Sequence, residues 1–113
     1  MNTELIHTPE GVRDIYGEEY ANKLAIQNIL YKQIHLYGYQ DIQTPTFEYF
    51  DVFGKEIGTT PAKDLFKFFD SDGNILCLRP DFTPSMARCA AKYFVDEDLP
   101  LRLSYVGNTF SNT

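Results

Sequence analysis

Cysteine is scarce in this sequence, and long apolar runs are absent. The two cysteines, Cys77 and Cys89, lie in apolar stretches and are predicted to be buried free thiols, because a disulfide would require a secreted protein. The first residues, Met1–Glu4, lack the basic start and apolar segment of a signal peptide. No run of about 18 apolar residues occurs, which excludes a transmembrane helix. We therefore expect a soluble cytoplasmic protein that has no membrane partner.

Basic residues are in the minority. There are 10 Lys and Arg residues against 16 Asp and Glu residues, so the formal net charge is −6. Nonspecific nucleic-acid binding depends on a basic surface that displaces counterions from phosphates, and the sequence has no basic cluster of that kind. No nucleic-acid partner is therefore predicted. A hydrophobic content of 43% and an aromatic content of 15% indicate a folded core, and 113 residues are enough for one domain.

The sequence also lacks the residue patterns of common catalytic sites. It contains no G-x-x-x-x-G-K-[ST] phosphate loop, no H-E-x-x-H zinc motif, no C-x-x-C pair and no G-x-S-x-G nucleophile turn. The two histidines, His7 and His35, are isolated from other metal-binding residue types, and the carboxylates are scattered along the chain. We predict no catalytic residue, no metal site and no cofactor.

The most informative stretch begins with the apolar run Ile75–Leu78, which has the length of a buried strand. Arg79 precedes a proline, which favours extended backbone and ends the strand. Thr83 also precedes a proline and is predicted to be the N-cap of a helix that continues to Phe94. The chain is therefore predicted to run from a strand through a sharp bend into a helix.

Three polar residues crowd this bend: Arg79, Asp81 and Thr83. A bend held by a rigid strand and helix can present such side chains to a ligand. Asp and Thr are also common as helix caps, so a purely structural role for Asp81 and Thr83 stays open. Arg79 is interpreted either as a residue of the cleft or as the partner of a nearby carboxylate. Arg88, within the helix, is interpreted as structural.

The remaining elements predict an α+β fold. A helix is predicted over Glu18–Tyr37, and a strand follows it up to Pro45. A second helix is predicted over Glu48–Ile57. The Asp-Gly turn at Ser71–Asn74 lies between two apolar runs and predicts an antiparallel hairpin, and Leu101–Val106 alternates as a strand. Together these elements predict an antiparallel sheet flanked by helices.

Two segments resemble a known family. Leu78–Thr83, followed by Met86-Ala87-Arg88, resembles the L-R-P-(D/E)-x-T…(V/A)-R stretch shared by histidyl-tRNA synthetases and a catalytically silent relative, the regulatory subunit of ATP phosphoribosyltransferase. Synthetases usually have R-P-E-G-T at the bend, whereas this chain has Asp81 and Phe82. The segment Leu101–Phe110 resembles the P-L-R-L-x-Y-x-G-N-x-F of the regulatory subunit, where synthetases more often have Y-x-G-P-M-F-R. The resemblance covers nearly the whole chain and favours the regulatory subunit.

The resemblance implies that residues 1–113 are the N-terminal part of a class II aminoacyl-tRNA synthetase-like core domain, truncated near its second motif. Asp81 and Thr83 match residues that hold the α-amino group of histidine in the synthetases, because an ammonium group suits a carboxylate and a hydroxyl. L-histidine is therefore a candidate ligand of Arg79, Asp81 and Thr83. Pro45 matches the proline of the first motif, whose helix and strand form the dimer interface of the family.

The resemblance also implies a function without catalysis by this chain. The regulatory subunit binds the short-form catalytic subunit, which condenses ATP with phosphoribosyl pyrophosphate in the first step of histidine biosynthesis, and the complex responds to histidine. Ser111 stands where the second motif has a phosphate-binding arginine, and a serine cannot neutralise phosphate charge. Two alternatives stay open. One is a fragment of a histidyl-tRNA synthetase, which activates histidine with ATP and charges tRNA. The other is a related domain that binds neither histidine nor the catalytic subunit.

Overall fold

The computed structural model describes residues 3–54 and 60–112. The chain divides into two compact units, Met1–Tyr39 and Gln40–Thr113. Within the described ranges, no helix combines the length and the apolar character needed to cross a membrane. The assignment of residues 1–113 to a single core domain stays a prediction.

The first unit consists of a short 3-10 helix at Thr3–Ile6, a loop, and helix α1 at Gly17–His35. The first turn of α1 is acidic, as predicted, and acidic side chains suit the positive end of the helix dipole. The helix ends at His35 rather than at the predicted Tyr37. The N–H of Tyr37 donates to the carbonyl of Ile34 at 3.0 Å, so the chain tightens into a 3-10 turn at this end.

The apolar stripe that predicted α1 faces solvent. No residue of α1 is buried, and Ile26 and Ile29 keep 59% and 66% of their accessible surface. Near the start of the helix, Arg13 Nη1 lies 2.6 Å from Glu19 Oε1. The hydrogen bond from Arg13, and then its charge, hold the pKa of Glu19 below its usual value. Both side chains are exposed, so water screens the pair and its contribution to stability is small.

In its described residues, the second unit contains two small sheets. Strands β1 (Gln40–Asp41) and β5 (Leu103–Ser104) pair in parallel, and the hydroxyl of Ser104 donates to Asp41 Oδ1 at 2.9 Å. This parallel pair was not predicted, because it joins residues that lie 63 positions apart in the sequence and no local pattern connects them.

The other sheet is antiparallel and has the strand order β2-β4-β3. Its strands are β2 (Phe47–Tyr49), β3 (Lys67–Phe69) and β4 (Ile75–Leu78). Strands β3 and β4 pair around the Asp-Gly turn, so the predicted hairpin is confirmed. With the helices described next, the predicted α+β class is confirmed as well.

Helix α2 spans Phe50–Gly54 and helix α3 spans Thr83–Tyr93. The helix predicted over Glu48–Ile57 is wrong at its start, because Glu48 lies in β2 and pairs with Cys77 of β4. A helical spacing of apolar residues is a local signal, and here the backbone hydrogen bonds offered by β4 override it. The far end of that prediction, Ile57, lies outside the described residues.

The apolar core of the second unit lies where α2 packs against β4. Phe53, Leu65 and Cys77 are buried, with 1%, 3% and 0% exposure, and Phe50 and Val52 pack against them. The core is assembled from helix α2, from the segment before the hairpin and from strand β4 of the hairpin. The helix, the hairpin and the segment before it therefore depend on one another for their burial.

The two thiols have different surroundings. Burial raises the pKa of the Cys77 thiol, and the positive charge of Lys67 opposes this only in part. Cys77 is therefore a neutral core residue at physiological pH, as buried cysteines usually are. Cys89 is only half-buried, so the predicted full burial of both cysteines is correct for Cys77 and wrong for Cys89.

One carboxylate organises the turn between β3 and β4. Asp70 Oδ1 accepts hydrogen bonds from the N–H groups of Asp72 (3.0 Å) and Asn74 (2.8 Å), and Asp70 Oδ2 accepts one from Asn74 Nδ2 (2.9 Å). Gly73 has a φ of +83°, a left-handed conformation that favours glycine. The side chain of Asn74, and then its backbone N–H, hold the pKa of Asp70 below its ordinary value of 3.8.

The lowered pKa of Asp70 predicts an acid-sensitive hairpin. A carboxylate whose pKa is lower in the folded state stabilises the protein above its unfolded pKa. That contribution is lost as the pH falls below 3.8. We expect Asp70→Asn to lower Tm at neutral pH, and we expect the gap between parent and variant to shrink on acidification. Thermal unfolding from neutral pH down to about pH 2.5 measures this gap.

Asp72→Asn is the matched control, because Asp72 contributes its backbone N–H to this turn and the substitution preserves that group. It should open a smaller Tm gap at neutral pH than Asp70→Asn. A gap for Asp70→Asn that stays constant at all pH values would contradict the assigned role of the Asp70 carboxylate.

Candidate functional site

The predicted bend lies between the end of β4 and the start of α3. The N–H of Arg79 donates to the carbonyl of Thr46 at 3.0 Å, and the N–H of Phe110 donates to the carbonyl of Arg79 at 2.9 Å. Arg79 therefore extends the backbone pairing of β4 by one residue, with a different segment on each side. This is the extended geometry predicted for a residue that precedes proline.

The side chain of Arg79 joins the same segments a second time. Its Nε donates to the carbonyl of Asn108 at 2.6 Å. Its Nη1 donates to the carbonyls of Thr44 (3.4 Å) and Pro45 (3.3 Å). A planar guanidinium with donors on several edges suits this kind of bridge. Arg79 thus links the chain after β1 to the chain after β5.

The guanidinium carbon of Arg79 lies over the ring of Phe82, with 4.7 Å from Cζ to the ring centroid. The ring of Phe82 also contacts Tyr105, with 4.3 Å between centroids and 41° between planes. A Cβ added at Gly107 would lie 2.7 Å from Arg79 Nη2 and 3.0 Å from Phe82 Cζ. Only a residue without a side chain fits at this position while Arg79 and Phe82 keep their places.

Asp81 and Thr83 lie on either side of Phe82 at the start of α3. Thr83 is the first residue of the helix, and Phe82 occupies the cap position without a side-chain hydrogen bond. The N–H of Thr83 donates to Asp81 Oδ1 at 3.0 Å. The prediction of Thr83 as the N-cap is therefore wrong, because the carboxylate that satisfies this helix N–H belongs to Asp81. Asp81 is half-buried and Thr83 is exposed.

The carbonyl of Pro45 accepts a hydrogen bond from Arg79 at the bend. Pro45 also lines an open groove of about 380 Å³. A second groove of about 380 Å³ lies over α2 and α3. Neither of these two grooves is lined by Asp81 or Thr83. The ligand-binding role of Arg79, Asp81 and Thr83 stays a prediction, and so does the dimer role of Pro45.

A buried ion pair that the sequence did not predict lies next to the core. Arg88 Nε is 2.9 Å from the carboxylate oxygens of Glu48. The Glu48 side chain is 8% exposed and that of Arg88 is 32% exposed. The pair joins β2 to α3 across 40 sequence positions. No local pattern could indicate it, although the structural interpretation of Arg88 is confirmed.

The residues around Arg79 were also missed as a group. Phe82, Tyr105, Gly107 and Asn108 appeared in the sequence only as parts of two recognisable segments. One sequence feature could have indicated that these residues lie together. A bulky residue at position 82 occurs with a glycine at position 107. Among the residues that the structure describes, no three His, Cys, Asp or Glu side chains form a metal-binding group.

A family model described as histidyl-tRNA synthetase matches residues 11–113. The chain belongs to the histidyl-tRNA synthetase family. Among curated relatives, an ATP phosphoribosyltransferase regulatory subunit of Ruminiclostridium cellulolyticum is 45% identical over 97% of this chain. The regulatory subunit of the same name from Acetivibrio thermocellus is 45% identical over 93% of this chain. The chain spans 26% and 25% of the length of these two relatives.

Solved structures of the family have the same fold. One is named an ATP phosphoribosyltransferase regulatory subunit/histidyl-tRNA synthetase from Bacillus halodurans. It is 37% identical, with a TM-score of 0.86 over 95% of this chain and 28% of that one. An apo histidyl-tRNA synthetase from S. aureus is 30% identical, with a TM-score of 0.78 over 93% of this chain and 25% of that one. The predicted family resemblance and the synthetase-like core are confirmed.

The ion pair between Glu48 and Arg88 predicts an asymmetric effect on stability. Arg88→Gln leaves the carboxylate of Glu48 buried without its cation. We expect it to lower the free energy of unfolding by about 2–3 kcal/mol, below the ~3–5 kcal/mol of a fully buried pair, because Arg88 is partly hydrated. Urea unfolding measures this difference.

Arg13→Gln is the matched control, since Arg13 forms an exposed ion pair with Glu19. It should change the free energy of unfolding much less than Arg88→Gln. The double variant Glu48→Gln with Arg88→Gln should recover part of the loss, because no buried charge is then left unpaired. Equal losses for Arg13→Gln and Arg88→Gln would show that burial of the second pair is unimportant.

Proposed function

We propose that this chain is part of the regulatory subunit of ATP phosphoribosyltransferase and has no catalytic activity of its own. The observation that carries this proposal is 45% identity, along nearly the whole chain, to curated proteins of that name. The bend supports it as well. Phe82 fills the space between Arg79 and Tyr105, where the synthetases usually have glycine. Ser111, in place of a phosphate-binding arginine, supports only the absence of catalysis, because many regulatory subunits keep that arginine.

The proposed partner is the short-form catalytic subunit, which condenses ATP with phosphoribosyl pyrophosphate. Both proteins act in the cytoplasm in this proposal, in the first step of histidine biosynthesis. If histidine binding changes the affinity for the catalytic subunit, the catalytic subunit must change the affinity for histidine by the same factor. This reciprocity makes the proposal accessible to binding measurements alone.

Mixing the full-length protein with a short-form catalytic subunit tests the assembly. We expect phosphoribosyltransferase activity to appear or rise on mixing, and we expect L-histidine to inhibit the mixture. Neither protein alone should show the histidine-sensitive activity. Activity that is unchanged by mixing would contradict the proposal.

The proposed ligand site is the start of α3. Asp81 supplies a half-buried carboxylate, and Thr83 supplies an exposed side chain two residues further along the chain. A carboxylate has about four lone-pair sites, so one that accepts from a backbone N–H, as Asp81 does from Thr83, can accept from more than one donor. The first turn of α3 contains no acidic residue, which makes Asp81 the carboxylate at this helix start.

Asp81→Asn separates ligand binding from helix capping. Asn caps helices about as well as Asp, so the variant should keep its Tm but lose the charge that attracts an ammonium group. We expect at least about a tenfold weaker affinity for L-histidine, measured by calorimetric titration of the full-length protein, or about 1.4 kcal/mol. Thr83→Ala should weaken binding less.

Asp72→Asn, at an exposed carboxylate of the hairpin turn, is the control for loss of one negative charge. It should leave the histidine affinity unchanged. Wild-type affinity in Asp81→Asn would reduce Asp81 to a helix cap.

Self-association through the first-motif region is part of the proposal. Helix α1 has no buried residue, and its apolar side chains Ile26, Ile29 and Leu30 are more than half exposed. A stripe of this kind is suited to an interface with a second copy. Pro45 is the other residue of the proposed dimer motif.

A histidyl-tRNA synthetase is the second candidate, because the S. aureus synthetase shares the fold at 30% identity and the B. halodurans structure carries both names. Charging of histidine tRNA by the full-length protein would favour this candidate. Absence of charging together with activation of the catalytic subunit would exclude it.

A further inference from the structure

Arg79 is placed to hold the protein rather than a ligand. Its Nε and Nη1 are hydrogen-bonded to the carbonyls of Asn108, Thr44 and Pro45. Its Nη2 lies close to Gly107, where an added Cβ would approach to 2.7 Å. A guanidinium binds a carboxylate through two parallel donors on one edge. Nε and Nη1 of Arg79 are thus committed to backbone carbonyls of the protein.

The guanidinium of Arg79 also contacts an aromatic ring. Phe82 lies against it at 4.7 Å and contacts Tyr105 beyond it at 4.3 Å. Gly107 lies next to both side chains, since a Cβ there would meet both Arg79 and Phe82. We call Arg79, Phe82, Tyr105 and Gly107 the Arg79 stack. The stack is bonded to two segments of the chain, so the position of the Phe82 ring is determined from outside the bend.

We propose that Arg79 is a positioning residue that acts through Phe82 on Asp81 and Thr83 and does not contact the ligand. Asp81 and Thr83 are the backbone neighbours of Phe82 and are joined by a hydrogen bond across it. Holding the Phe82 ring therefore restrains the backbone between Asp81 and Thr83, and with it the placement of both side chains. The inference rests on the proposed histidine site and replaces the predicted ligand contact of Arg79.

The chemistry of arginine is required for this role. A lysine has the same charge, but it cannot donate in one plane to carbonyls on two segments, and its ammonium does not stack flat on an aromatic ring. Gly107→Ala offers a second route to the same disturbance. It displaces Arg79 and Phe82 sterically but removes no charged or hydrogen-bonding group.

The test uses the full-length protein and two ligands, L-histidine and L-histidinamide. The amide keeps the amino group and the imidazole but has no carboxylate. Calorimetric titrations compare wild type, Arg79→Lys and Gly107→Ala. Arg102→Ala is the matched control, because its side chain is exposed. Circular dichroism and Tm verify that each variant is folded.

We expect Arg79→Lys and Gly107→Ala to weaken binding about tenfold, and by the same factor for both ligands, equivalent to about 1.4 kcal/mol. Arg102→Ala should bind both ligands as wild type does. A loss confined to L-histidine would show that Arg79 contacts the ligand carboxylate and would overturn the proposal. Wild-type affinity in both stack variants would overturn it equally.

Chemical rescue distinguishes a specific role of Arg79 from a general loss of stability, because added guanidinium would not restore histidine affinity to a protein that is merely less stable. Added guanidinium at millimolar concentration should restore part of the histidine affinity of Arg79→Ala, whereas ammonium at the same concentration should not. If Arg79→Ala does not fold, the Nε–H resonance of Arg79 in the wild-type protein replaces it. A hydrogen bond of 2.6 Å to Asn108 predicts slow solvent exchange, before and after histidine is added. Fast exchange of that proton would overturn the proposal.

Failure of the inference and failure of the proposed function give different results. If the wild-type protein binds neither ligand, the proposed histidine site is wrong and the positioning role is lost with it. If the wild-type protein binds histidine and the stack variants bind it equally well, the histidine site stands and only the role of Arg79 is wrong.

Discussion

The hydrogen bonds of Arg79 to three carbonyls hold together segments that are 29–35 positions from it in the sequence. Strand β4 lies in a sheet that β1 and β5 do not join. The backbone of Arg79 adds two hydrogen bonds at the same point, one to the carbonyl of Thr46 and one from the N–H of Phe110. The guanidinium adds directional donors at the point where the chain turns into α3. The geometry of the bend is therefore a consequence of long-range polar contacts.

A small apolar core makes such contacts more important. In the described part of the second unit, the side chains buried with Cys77 are few, and Phe53 and Leu65 are the main ones. The buried carboxylate of Glu48 lies in the same sheet and is compensated by Arg88 of α3. A buried ion pair adds less stability than apolar side chains of similar size, but loss of either partner is costly. The pair thereby specifies how α3 lies against β2.

Local patterns were sufficient for elements that local forces determine. The hairpin around Asp70 and Gly73, helix α1 and helix α3 were all predicted, because turn chemistry and helical spacing act over a few residues. Glu48 was assigned to a helix because its strand depends on pairing with Cys77. The parallel pairing of β1 with β5 and the bonds of Arg79 could not be read from the sequence for the same reason. At the candidate site, the sequence indicated which residues crowd the bend. The structure shows which of their side chains form hydrogen bonds with the backbone.

The carboxylate of Asp81 serves the fold, and in the proposed function it also serves a ligand. Its Oδ1 reaches the N–H of Thr83, two residues further on. A glutamate is one methylene longer, and its carboxylate would lie farther from that N–H. An aspartate here is thus tied to the helix start, and any cation that meets it meets a carboxylate whose position the backbone already determines. Because Phe82 lies between Asp81 and Thr83 and is itself held by Arg79, the bend is preorganised before a ligand arrives, and less ordering is left to oppose binding.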